Sequence, residues 1–163
     1  MRITGGSGAW VDLRPLGWEF PPSAGEWDDR WLVIRGMVTS GDRDWAFTEP
    51  CLLIDEAREL AAWLRDGAEG RIAPHPPTVD AEPSLSFMEP ALGLSLVARN
   101  EGELVLDVHF AAEAAPPWLP EESPPACHIL QLRVHPSRLL AAADSWAEEL
   151  DALPARPWVD PRS

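Results

Sequence analysis

Three stretches of this chain place an apolar side chain at every second position. Leu92, Leu94, Leu96 and Ala98 form the first, Leu104, Leu106, Val108 and Phe110 the second, and Leu130, Leu132 and Val134 the third. Successive side chains of a strand leave opposite faces, so a period of two keeps one face dry and the other polar. That pattern predicts an antiparallel sheet covered on one side. Leu85 and Phe87, alternating with Ser84 and Ser86, add a strand ahead of these three. Asn100-Glu101-Gly102 supplies a turn, and a Pro-rich excursion from Ala115 to Pro125 separates the last strand.

The first half carries the same preference. Trp31-Leu32-Val33-Ile34-Arg35-Gly36-Met37-Val38 reads as a strong strand, and Trp45-Ala46-Phe47-Thr48 resumes alternation after Ser40-Gly41-Asp42-Arg43. Gly-Asp between two such runs predicts a hairpin. Pro50 interrupts the second strand, with Cys51-Leu52-Leu53 continuing it after a bend. Residues 1–26 read as an irregular N-terminal segment holding one edge strand near residues 9–14.

Two helices complete the pattern. Asp55 is placed to cap the first, whose apolar stripe is Leu53, Ala57, Leu60, Ala61 and Leu64, with Gly67 or Gly70 ending it. Pro136 opens the second, and Leu139, Ala143, Trp146, Leu150 and Leu153 form its stripe before Pro154. Each stripe needs a dry surface. The simplest arrangement is a single α+β domain over residues 1–163, in two layers, with both helices on one face of one mainly antiparallel sheet. The opposite face would then carry Arg35, Ser95, Arg99, Asp107, His109, Gln131 and Arg133. No internal repeat is visible in the sequence.

Charge narrows the class of partner. The chain has 27 acidic residues against 13 basic ones, all Arg, for a net charge of -14 over 163 residues. Such a surface repels nucleic acid and membranes and attracts basic proteins. No stretch approaches about 18 consecutive apolar residues, so no transmembrane helix is expected. Met1 to Trp10 lacks the apolar run of a signal peptide, which makes the cytoplasm the expected compartment. Cys51 and Cys127, each in an apolar run, read as buried, reduced core residues.

The search for chemistry yields little. Cys127 and His128 are adjacent and leave opposite faces of a strand, and His109 with His135 would make a two-ligand site at best, so no metal is expected. Gly5-Gly6-Ser7-Gly8 lacks the Lys of a phosphate loop, a residue type absent from the whole chain. Asp28-Asp29, Glu121-Glu122 and Glu148-Glu149 are sequence neighbours whose side chains do not converge, which suits a solvated surface. Neither a cofactor nor catalysis is expected. One alternative remains: a small ligand-binding domain or enzyme using Asp107, His109 and Arg133 on the polar sheet face.

Aromatic residues next to acids are more suggestive. Trp27 and Trp31 flank Asp28-Asp29, Trp45 lies beside Asp42 and Asp44, and Trp118 precedes Glu121-Glu122. Trp31, Trp63 and Trp146 read as core, whereas Trp27 and Trp118 fall in loops and suit exposed anchors. On loop position and charge, the candidate contact residues are Trp27, Asp28, Asp29, Asp42, Asp44, Glu49, Glu113, Trp118, Glu121 and Glu122.

The run from Trp27 to Gly36, then Trp45 to Leu53 leading into the Leu60-x-x-Trp63-Leu64 helix, resembles the WapI family of bacterial immunity proteins. The likeness continues through Leu85-Ser86-Phe87-Met88-Glu89-Pro90 and His109 to Trp118, and into the helix after Val134-His135-Pro136. It spans roughly residues 27 to 153. The resemblance implies a cytoplasmic antidote that binds the C-terminal module of a contact-dependent, wall-associated polymorphic toxin, often a ribonuclease acting on tRNA. A nuclease domain is usually basic because it holds phosphates, so an acidic inhibitor could mask it. The family supplies no contact residues to carry over.

Overall fold

Ile34 and Val38 turn inward from a ten-residue strand while Arg35 and Met37 turn out, and the other strands of the first half align to that alternation. The computed structural model describes residues 1–22, 27–75, 82–120 and 127–156. Its first half runs β1 (Arg2–Thr4), β2 (Trp10–Trp18), β3 (Trp31–Ser40), β4 (Arg43–Leu53) and α1 (Ile54–Ala68). The second runs β5 (Leu85–Ser86), β6 (Leu92–Asn100), β7 (Glu103–Ala111), β8 (Cys127–Val134) and α2 (Pro136–Asp151). All strand pairs are antiparallel and join neighbours in sequence. The protein is an α+β domain with two amphipathic helices, as the patterns predict.

The strands form two four-stranded sheets among the described residues, not one. Each half has its own dry face, and both faces close on a single apolar core. Trp45 and Phe47 of β4 meet Phe110 of β7 edge-on, with ring centroids 5.2 and 6.1 Å apart. On the other side, the Gly6 amide donates to the Arg133 carbonyl at 3.0 Å, so β1 leads into a turn resting against β8. Periodicity reports which face is dry and says nothing about how many sheets share it. The order of four strands and a helix also occurs twice, a repeat of plan that the sequence does not display.

Helices α1 and α2 pack on each other and against the first sheet. Arg65 pairs with Asp144 at 2.8 Å across their surface, and Trp146 is wholly buried between them. Helix α1 starts one residue before Asp55, which pairs instead with Arg30. Glu56 caps the helix: its carboxylate accepts the Leu53 amide at 2.8 Å and the Met88 amide at 2.6 Å, tying the two halves together. Gly70, at φ +82°, ends the helix, and the Arg71 amide returns to the Asp66 carbonyl at 2.9 Å.

Three further expectations change. Strand β2 is no edge: it pairs with β1 on one side and β3 on the other, and Pro15, which has no N–H to offer, sits at a register shift. A second shift between Leu96 and Ala98 flips the phase of β6, so Arg99 leaves the polar face and donates to the Gly67 carbonyl at the end of α1. Cys51 is buried, and desolvation followed by Glu49 and Glu89 pushes its thiol up to about 12; Cys127, in contrast, is exposed.

Candidate partner-binding site

The β3–β4 hairpin turns through Gly41 at φ +64°, as a two-residue loop led by glycine requires. Asp42, Arg43 and Asp44 are exposed at its tip, while Trp45 turns inward. The Trp45 indole donates to the Ala114 carbonyl at 3.1 Å and stands edge-on to Trp118 and His128, with centroids 5.5 and 5.2 Å away. Trp45 is therefore core, although its acidic neighbours suggested a surface. Trp118 remains 36 % exposed, and the Arg43 guanidinium lies 5.2 Å from its ring.

A short 3-10 turn over Ala112–Ala114 completes this corner. Ala112 adopts φ +47°, a left-handed conformation unusual for alanine, and the turn presents the Ala114 carbonyl to Trp45 while leaving Glu113 exposed. The hairpin tip, with Asp42 and Asp44, and the turn carrying Glu113 thus meet beside Trp118 although they are about 70 residues apart, with the Asp44 side chain leaving the face opposite Trp45. Arg43 in the tip was not singled out from sequence; its place in an acidic turn hid its stacking on Trp118. His128 backs the corner, and burial lowers its pKa.

The other candidates lie elsewhere. Ten residues of β3 at about 3.3 Å each put Asp28 and Asp29 roughly 30 Å from the hairpin tip. Asp28 is exposed, but Asp29 is engaged: Arg156 donates to its carbonyl at 3.0 Å and to its carboxylate at 3.3 Å. Arg156 also lies 4.6 Å from the Trp18 ring, whose indole donates to the Pro154 carbonyl at 3.1 Å. These contacts fasten the segment after α2 onto the first sheet. Glu49 is half-buried beside Cys51, with Glu56 and Glu89. The Trp27 side chain, Glu121 and Glu122 lie outside the described residues.

Asp107, His109 and Arg133 share the outer face of the second sheet but do not converge. Asp107 is buried and accepts from Gln131 at 3.0 Å, whereas Arg133 reaches Glu103 at 3.1 Å. His109 Nε2 bonds the Ser95 hydroxyl at 3.2 Å, which also accepts the Ser84 amide at 3.1 Å. Burial lowers the His109 pKa against the pull of Asp107, and partial burial raises that of Cys127, 3.9 Å from Nδ1. The network is a set of neighbours satisfying one another. His135 instead caps α2, accepting the Ser137 amide at 3.2 Å, which separates it from His109. Among the described residues no three His, Cys, Asp or Glu side chains group to hold a metal. No helix among them is long and apolar enough to cross a membrane.

Nothing among curated proteins or solved structures matches the chain. A family model does, over residues 2–154, and it takes in both sheets and both helices. By that match, the chain belongs to the immunity protein WapI-like family.

Proposed function

We propose that this chain is an immunity protein that binds a cognate toxin domain through the corner around Trp118 and masks the toxin's active surface. The observation that carries the reading is the meeting of two exposed acidic segments, the tip with Asp42 and Asp44 and the turn with Glu113, beside a 36 % exposed Trp118 on a protein of net charge -14. A basic toxin, such as a nuclease, is drawn to such a surface over distance, and charge complementarity raises the association rate. Trp118 and the stacked Arg43 then give the contact a flat, partly desolvated anchor, the kind of residue that slows dissociation. The chain itself makes and breaks no bonds in this scheme, and it acts in the cytoplasm, where an incoming toxin would find its target.

The test takes as its candidate toxin the C-terminal module of the protein encoded by the gene directly upstream. Purified toxin domain and immunity protein should form a complex that abolishes toxin activity. Stopped-flow association should slow about tenfold or more between 50 and 500 mM salt, because exposed charges are screened within a few ångströms at the higher value. No complex, or an association rate indifferent to salt, sinks the reading.

A further inference from the structure

Strand β8 closes one side of the second sheet, and only its β7 side is fully used. Backbone groups of alternate residues point to opposite sides of a strand. The Ala111 amide donates to the Ala91 carbonyl at 2.9 Å, so the odd-numbered residues of β7 turn their amides and carbonyls toward β6. Their register partners on β8 are Cys127, Ile129, Gln131 and Arg133, whose backbone groups consequently point outward. The bond from Gly6 to the Arg133 carbonyl fixes the same parity from outside. That bond covers the Arg133 end alone. At Ile129 and Gln131 no described backbone group completes the outward bonds.

Within the described stretch itself the usual in-strand protections are missing. Proteins blunt such edges with proline, lysine, a bulge or an inward charge. Between Cys127 and Leu132 the sequence is Cys-His-Ile-Leu-Gln-Leu, with no proline and no formal charge, and its pairing with β7 is unbroken. Ile129 is 48 % exposed on the same stretch. This stretch also begins beside the proposed contact corner, since His128 packs against Trp45.

We propose that a β-strand of the toxin domain adds to this edge, pairing with Ile129 and Gln131 and covering the Ile129 side chain. This rests on the immunity reading and names where main-chain recognition occurs. A row of unpaired amides and carbonyls is matched by another extended strand. Charge selects its source: a second copy would bring another net charge of -14 against the first, while a basic domain is attracted.

Backbone amide exchange, followed by NMR, tests it in the free chain and in its complex with the candidate toxin domain. In the free chain the Ile129 and Gln131 amides should exchange about a hundredfold faster than those of Leu130 and Leu132, and in the complex they should slow by about tenfold or more. Ile129→Pro deletes an outward N–H without touching the β7 ladder, and extended His128 tolerates a following proline. It should weaken toxin binding about tenfold or more at an unchanged unfolding midpoint. Ile129→Lys, which sets a cation against a basic partner, should weaken binding as well. Wild-type affinity in both variants, fast exchange at Ile129 in a complex that forms, or a dimer of the free chain with these amides protected would each overturn the proposal while leaving the immunity reading intact. Failure of any complex to form removes both.

Discussion

The Trp146 indole donates to the Ala57 carbonyl at 2.7 Å, joining α2 to α1 across their wholly buried seam. Trp146→Ala deletes a large side chain that no solvent can replace, and should cost about 3–5 kcal/mol in urea denaturation. Trp146→Phe keeps much of the volume and loses the bond, so a smaller loss of about 1–3 kcal/mol is expected. Equal losses for both would mean the hydrogen bond dominates over packing.

Gly36 is fixed by its cross-strand partner. A Cβ at that position would lie 2.1 Å from the Phe47 ring, which is buried and faces Phe110. Gly36→Ala should therefore cost about 1–3 kcal/mol through overpacking. In a Phe47→Leu background the same change should cost less, and a double-mutant cycle measures the difference.

Burial lowers the pKa of both His109 and His128 from 6.5. The unfolded chain then binds protons at a higher pH than the folded one. Their contribution to stability is complete above about pH 6.5 and is lost as pH falls below it toward the folded-state values. NMR titration should give both rings midpoints under 6.5, and unfolding free energy should decline on acidification from pH 7 to 5. A ring titrating above 6.5 would contradict the burial described.

The acidic positions should separate into two kinds. Asp42→Asn, Asp44→Asn and Glu113→Gln together remove exposed charge at the corner, and should cut the toxin association rate about tenfold with little change in stability. Arg156→Ala should do the reverse, losing about 1 kcal/mol of stability by removing its bonds to Asp29 and its contact with the Trp18 ring while leaving association near wild type. Reversed effects would place the contact at the Asp28-Asp29 end.

Much of this architecture was legible because strands with one dry face write that face into alternate positions, as Leu104 to Phe110 do. What periodicity lacks is any record of partners. A single extra residue at Val97 reversed the phase, sending Arg99 to the helix end where the alternation had put it on the polar face. The corner was half legible: Asp42, Asp44, Glu113 and Trp118 stood out as loop acids and a loop aromatic, but only the indole of Trp45 reaching Ala114 brings them to one place. Asp29 looked equally available in the sequence, yet Arg156, more than a hundred residues on, holds it. Such contacts depend on chain reversal over long separations, which no local window carries.

The doubled plan of four strands and a helix has a mechanical corollary. Each half leaves an apolar surface that only the other can cover: Trp45 and Phe47 rest on Phe110, and Trp146 on Ala57. Cleaving the chain between residues 75 and 82 would cut no strand, helix or ring contact described above, so the fragments should remain clasped as a nicked heterodimer. Expressed separately, each should aggregate; mixed during refolding, they should reassemble, which would let reporters fused to the two pieces register that assembly in living cells.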